Sequence, residues 1–198
     1  MDYKDLGIPY TRDQLLKIVH KQMSDKRFEH VKRVEATALM ISQDYDINKS
    51  LVSIAALLHD YGKERPDSDY LQLMDTNPWY QGLKPYGNNI WHGVLGALLV
   101  KKELHIENED ILRAMQVHTI GSTEMSLLDK IIYLADYIEP AREFPGVDDV
   151  RKIVFAGKLD QAILMSLKNT ITFLVHKEQI IFPYTVDVYN HFVQKIKE

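Results

Sequence analysis

The chain has 198 residues, the size of one ordinary domain and long enough to bury an apolar core without covalent staples. Apolar residues make up 45% and charged residues 26%, a balance that excludes a disordered or fibrous chain. There is no cysteine, so disulfides, thiolate ligands and cysteine nucleophiles are excluded; the net charge of −4 offers no general attraction for nucleic acid. DNA and RNA are therefore not expected partners, and a negatively charged small substrate would need a local cluster of cations or metal.

In chain order, residues 1–13 are acidic and polar and lack the basic start and apolar stretch of a secretory signal. Thr11 and Gln14 are spaced as a capping box ahead of Leu15, Ile18 and Val19. A second helix is expected from near Asp25, with Val31, Val34, Ala38 and Ile41 on its apolar face and His30 on or beside that face, pointing inward. Asn48 caps the segment of Leu51, Ile54, Ala55 and Leu58, which runs out at His59-Asp60 just before Gly62. Residues 75–89, with Trp79, Tyr80 and Tyr86 among prolines and glycines, read as a loop. His92 falls at a helix start, where it could simply cap, and His118 ends the segment 110–117. Ser122 or Thr123 is the expected start of the segment carrying Leu127, Leu128, Ile131, Leu134 and Ile138, in which Asp136 lies. Pro140 stops it, and residues 140–147 read as a second loop.

Both loops are candidates for lining a pocket, the plainer alternative being surface packing. Strand alternation is nearly absent, and no repeat or long linker appears. The expectation is an all-α fold, a helical bundle of about eight or nine helices forming one domain over residues 1–198. The longest apolar stretches, residues 53–58 and 94–100, fall far short of the roughly 18 residues that span a bilayer, so no membrane partner and a cytoplasmic location are expected.

The His59-Asp60 pair alone is a weak signal, because a helix-end Asp before Gly is more often a solvated turn. Placed with His30, His118 and Asp136 on the inferred helices it means more. A buried carboxylate such as Asp136 is costly unless it is paired or bound to a cation. Imidazoles and carboxylates from separate helices, without thiolates, suit a divalent transition metal. Iron or manganese is favoured over zinc, since a mixed shell with open positions suits a six-coordinate ion.

At these residues the sequence resembles the HD-domain phosphohydrolases, whose pattern is a His, a His-Asp pair and a distant Asp: His30, His59-Asp60 and Asp136. The segments Arg27-Phe28-Glu29-His30, Ala55-Ala56-Leu57-Leu58-His59-Asp60-Tyr61-Gly62-Lys63, His118-Thr119 and Ala135-Asp136-Tyr137-Ile138-Glu139-Pro140-Ala141-Arg142 resemble its YqeK-type branch, the symmetrical bis(5'-nucleosyl)-tetraphosphatases. The likeness runs through essentially the whole chain, and residues 137–151 are its most specific part.

The resemblance implies that His30, His59, Asp60 and Asp136 bind iron, with manganese or another divalent transition metal as the alternative and one or two ions in the site. It implies catalytic roles for Asp60, Lys63, His92, His118 and Arg142. Substrate contacts would come from these, from Arg27, His30, Thr119 and Asp136, and from Gln179 and Tyr184 in a segment that holds the nucleoside. The implied reaction is hydrolysis of diadenosine tetraphosphate to two ADP by a metal-activated water. Asp60 would orient that water, Arg142 and Lys63 would offset phosphate charge, and His92 and His118 would donate to the leaving oxygen or hold a second ion.

Blander readings stand beside these. Lys63 could belong to a solvated charge run with Glu64 and Arg65, and Arg142 could pair on the surface with Glu139 or Glu143. His20, His105, His176 and His191 lie among polar residues and are placed outside the site, and Trp79 and Tyr86 are read as packing. Competing functions are an HD hydrolase of another nucleotide, such as a deoxynucleoside triphosphate or a guanosine alarmone, and a non-catalytic nucleotide-sensing module. A homodimer is compatible with the sequence, which contains nothing that demonstrates one.

Overall fold

The computed structural model describes residues 1–197 and, among them, is all helical; an isolated bridge joins Asp2 and Thr11. The α-helices are α1 (Arg12–His20), α2 (Asp25–Ile41), α3 (Lys49–Leu58), α4 (Asp67–Met74), α5 (Pro78–Gln81), α6 (Asn88–Val94), α7 (Gly96–Leu104), α8 (Glu109–Val117), α9 (Leu127–Ile138), α10 (Val147–Phe155), α11 (Leu159–His176) and α12 (Pro183–Lys197).

Local chemistry explains most of the starts. Thr11 and Gln14 form the reciprocal capping box of α1, Ser24 accepts from Arg27 N to cap α2, and Asn48 accepts from Ser50 N and Leu51 N to cap α3. The start of α9 differs from expectation. Its cap is Ser126, which forms a capping box with Asp129, while Ser122 and Thr123 sit in the preceding turn near the Tyr184 hydroxyl. Only Ser126 has a carboxylate three residues ahead to complete the reciprocal bond.

There are more helices than the expected eight or nine, and the surplus lies in residues 67–94. Asn77 caps α5 and Pro78 occupies its first turn, where a missing N–H costs nothing. A 3-10 turn, Lys84–Tyr86, follows. Helices this short leave no 3.6-residue apolar period to read. Residues 140–147 do form a connecting segment, and it is pressed against α11: Gly146 has φ +87, and a Cβ there would meet Asn169 Nδ2 at 2.8 Å.

Helix α3 is the centre of the molecule, with Val52 through Leu58 all buried. It packs against α2, α8 and α9, while α10 and α11 cover α9 and α12 covers α11. Burial of each of the large aliphatic side chains here, such as Ile54, Leu57 and Leu134, contributes about 1.5–3 kcal/mol. The N-terminal segment is locked down by a polar network in which Glu35, 1% exposed, accepts from Arg12 at 2.7 and 2.6 Å and from Ser53 Oγ at 2.5 Å. Among the described residues no helix is long and apolar enough to cross a membrane. The packing of α2, α3, α6, α8 and α9 brings His30, the end of α3, His92, the end of α8 and Asp136 to one place.

Candidate metal centre and phosphate cavity

His59 follows the last residue of α3 and His118 the last of α8, where helix carbonyls lack N–H partners. His59 Nδ1 donates to Ala56 O at 2.6 Å, His118 Nδ1 to Met115 O at 2.7 Å and His92 Nδ1 to Asn88 O at 2.7 Å. A carbonyl only accepts, so in each case the hydrogen sits on Nδ1 and the Nε2 lone pair is left for the site. His92 lies inside α6 rather than capping its start.

Asp60 joins the two sides of the cluster. Its Oδ2 lies 3.4 Å from His59 Nε2 and 3.5 Å from His30 Nε2 and accepts from Arg27 Nη1 at 2.9 Å; its Oδ1 lies 3.2 Å from His92 Nε2 and 3.9 Å from His118 Nε2. Asp136 Oδ1 lies 3.1 Å from His30 Nε2 and 4.0 Å from His59 Nε2. Asp136 is not fully buried, as the sequence suggested; 21% of its side chain is exposed, toward the cavity described below.

The arrangement fits a cation. Buried His30 Nε2 and His59 Nε2 have no hydrogen-bond partner, a condition that normally costs about 1–3 kcal/mol per group. Ligand atoms of His30, His59 and Asp60 lie within 4.8 Å of one another, as do those of His59, His118 and Asp136, and of Asp60, His92 and His118. The Nε2 atoms of His92 and His118 face each other at 3.2 Å, two lone pairs with nothing between them unless a cation or proton intervenes. Imidazole and carboxylate donors without sulfur suit a divalent transition metal.

The electrostatics agree. Burial would raise the carboxyl of Asp60, but His59 and His92 hold it well below the usual carboxylate range. Asp136 is lowered too, its burial offset by His30 and Arg142. His59 is raised because Asp60 and Asp136 outweigh its burial, whereas burial beside His59 and His92 pushes His118 down to about 3. Burial also lowers the Lys63 ammonium.

Beside the cluster opens a cavity of about 380 Å³. Asp60, His92, His118 and Asp136 line one part of it, and Arg27, Lys63, Thr119 and Arg142 line another. Lys63 is no solvated charge run: Nζ donates to Asn89 Oδ1 at 3.2 Å and lies 3.3 Å from His92 Nδ1, while Arg65 turns away to Glu103. Arg142 pairs with Asp136, donating from Nη2 to Oδ1 at 2.6 Å, rather than with Glu143; Glu139 Oε1 is 3.9 Å from its Nε. Thr119 Oγ1 is buried without a partner.

Four cavity residues were missed from the sequence: Asn89, Tyr133, Tyr137 and Thr170. Tyr133 and Tyr137 share a helical face with Asp136, a usable signal. Thr170 comes from α11 and had none.

Gln179 and Tyr184 do not line this cavity. Gln179 is exposed, and Tyr184 borders a separate groove of about 740 Å³ with Trp79, Tyr86 and Phe182. His20 stacks on Phe28 at 4.1 Å and, like His105, His176 and His191, lies outside the site.

The HD domain family matches residues 27–141, which contain all the ligand candidates. The chain is 40% identical to the symmetrical bis(5'-nucleosyl)-tetraphosphatase of Bacillus subtilis strain 168, over 92% of this chain and 97% of the relative. It is also 40% identical to the protein of the same name from Halalkalibacterium halodurans, over 94% and 99%. Among solved structures, a predicted HD superfamily hydrolase from Clostridium acetobutylicum, described as involved in NAD metabolism, superposes with a TM-score of 0.84 at 33% identity, covering 94% of this chain and 98% of that one. A family match over more than half of the chain, joined to near full-length relatives, is decisive, and the chain belongs to the HD domain family.

Proposed function

We propose that this protein hydrolyses diadenosine tetraphosphate symmetrically into two ADP, with water as the nucleophile. Relatives at 34–40% identity over most of the chain carry this activity in their names, and membership of the HD family supports a metal-dependent hydrolase. One observation carries the reading: buried, unpartnered nitrogens of His30 and His59 meet Asp60 and Asp136 beside a cavity also lined by Arg27, Lys63 and Arg142. Donors for a cation stand next to cations for phosphates.

His30, His59, Asp60 and Asp136 would hold the ion, which when bound supplies an acidified water and polarises a phosphoryl oxygen. We read it as iron, with manganese or another divalent transition metal able to take its place; Asp60, His92 and His118 would hold a second ion. The chain's own residues then position and neutralise. Arg142 spends Nε on Asp136 O and Nη2 on Asp136 Oδ1, and its remaining donors serve phosphate oxygens and offset the charge that builds on the departing ADP. Lys63 adds a second positive group, and Thr119 Oγ1 a donor that otherwise has no partner. Because His92 and His118 commit their Nδ1 hydrogens to backbone carbonyls, the neutral rings offer Nε2 as an acceptor or ligand rather than as a donor to the leaving oxygen.

The reading extends to one HD domain over residues 1–198, a cytoplasmic protein with nucleoside contacts from Gln179 and Tyr184, and a homodimer as its assembly. The test is incubation with diadenosine tetraphosphate, with and without chelator, and chromatography of the products. ADP alone is expected, and chelation or His59→Ala abolishes it. Metal-loaded protein that leaves this substrate intact would refute the substrate and direct a screen of deoxynucleoside triphosphates and guanosine alarmones.

A further inference from the structure

Four imidazoles turn Nε2 toward the site, but they are held in that orientation in two ways. His59, His92 and His118 donate Nδ1–H to carbonyls three or four residues back, Ala56, Asn88 and Met115. His30 lies inside α2, which continues to Ile41. Its Nδ1 reaches out of its own helix to Glu139 Oε1 at 3.1 Å, a partner 109 positions away in sequence.

Glu139 is 2% exposed, and a carboxylate so enclosed is costly unless its oxygens are engaged. Both are. Oε2 accepts from Arg33 Nε at 2.6 Å and from Ala141 N at 2.9 Å. Arg33 lies one turn beyond His30 on α2, and Ala141 precedes Arg142. Glu139 O accepts from Arg142 N at 2.9 Å and from Arg151 Nη2 at 2.9 Å, so the backbone of the same residue shapes the turn that delivers Arg142 to Asp136. With Arg33 and Ala141 both donating to it the carboxylate accepts; His30 Nδ1 therefore donates, which in the neutral ring leaves the lone pair on Nε2.

We infer that Glu139 is a positioning residue of the metal centre: its carboxylate fixes His30 as an Nε2 ligand and ties that ligand to the turn carrying Arg142. The inference rests on the reading of His30 as a ligand and adds a residue outside the ligand set. Second-layer carboxylates of this kind fix ring orientation and raise ligand basicity, and their loss typically weakens metal binding about 10–100-fold.

Glu139→Gln is the most informative substitution. Arg33 Nε and Ala141 N both donate, so they claim the single amide oxygen and turn the amide NH₂ toward His30. His30 Nδ1 must then accept, and its hydrogen moves to Nε2, where it blocks ligation. The full chain is stripped with chelator and titrated with Mn²⁺ by calorimetry at fixed pH, and ¹⁵N spectra of the metal-free histidines report the tautomers. Glu139→Gln and Glu139→Ala should bind Mn²⁺ about 10–100-fold more weakly, and the His30 signal of Glu139→Gln should change from the Nδ1–H to the Nε2–H form. Arg33→Gln breaks another contact of the same carboxylate but leaves the His30 bond, and should bind Mn²⁺ close to wild type.

Wild-type affinity in Glu139→Gln, an unchanged tautomer, or equal weakening by Arg33→Gln would each overturn the inference. His30→Ala separates the two levels of argument. If it binds Mn²⁺ normally, the ligand assignment fails and this inference with it; if it is impaired while Glu139→Gln is normal, the ligand assignment stands and only the positioning role falls.

Discussion

Arg142 bonds Asp136 and also lines the cavity, so in the proposed function one side chain is placed by a metal ligand and serves the substrate. Its contact with Asp136 aims it at the cavity, and neutralising the phosphate chain is a transition-state task, so Arg142→Ala should lower kcat about 10²–10³-fold. Metal content should stay near wild type, and Arg142→Lys should recover only part of the loss because an ammonium cannot form the planar double contact. Steady-state kinetics with metal analysis checks this; a parallel loss of bound metal would mean that Arg142 acts through Asp136 instead. Gly93 is a quieter position. A methyl there would meet Thr119 Oγ1 at 2.8 Å and His118 Cε1 at 3.3 Å, so Gly93→Ala should cost about 1–3 kcal/mol of packing and raise KM through the displaced Thr119. The sequence offered His30, His59, Asp60 and Asp136 through their resemblance to the HD pattern, and the structure gathers the four side chains in one cluster. Sequence reading named Glu139 only as a surface partner for Arg142 and offered nothing for Thr170, because the contact of Glu139 with His30 and the place of Thr170 on the cavity wall depend on helices that meet only after the chain has folded.

Among the elements, α9 carries the distal proposed ligand, Asp136, and begins on a reciprocal Ser126–Asp129 box. Ser126→Ala leaves the Asp129 N–H without its side-chain acceptor and should destabilise the protein by about 0.5–2 kcal/mol in urea denaturation. The outer layer is tied to α9 by charge: Asp160 in the first turn of α11 forms ion pairs with Lys130 of α9, at 2.6 Å, and with Lys195 of α12, at 2.9 Å. Burial would raise the Asp160 carboxyl, but the two ammonium groups bring it below the ordinary 3.8. Its folded value is therefore the lower one. The stability it contributes is complete above the unfolded value and is lost as pH falls through the folded value. The thermal midpoints of wild type and Asp160→Asn should differ at neutral pH and converge below pH 3.8; a gap that persists in acid would rule out the ion pairs as its source. The long helices were legible because their apolar faces repeat over several turns, and α1 and α3 also begin on the ordinary caps Thr11 and Asn48. Helix α5 was not, since its 4 residues show no period, and α6 was read only from near His92 because its start lies beside Pro85 and Gly87.

Across the whole molecule, the proposed ligands come from α2, from the end of α3 and from α9, elements that span residues 30 to 136 and are brought together only by the native packing. The all-helical class follows from the near absence of strand alternation, but the convergence of these helices on one point follows from packing around buried α3 and could not be read from any single segment. A cation that binds this assembled cluster and not the unfolded chain must stabilise the fold by mass action, by about 2.7 kcal/mol at a hundredfold excess over its Kd. For a chain of this length each kcal/mol moves the thermal midpoint by about 2–4 °C, so adding Mn²⁺ to chelator-treated protein should raise Tm by about 5–11 °C. His59→Ala removes a proposed ligand whose Nε2 has no hydrogen-bond partner, so its Tm should respond far less to the ion. An equal rise in both proteins would mean that the metal stabilises the chain from some other site.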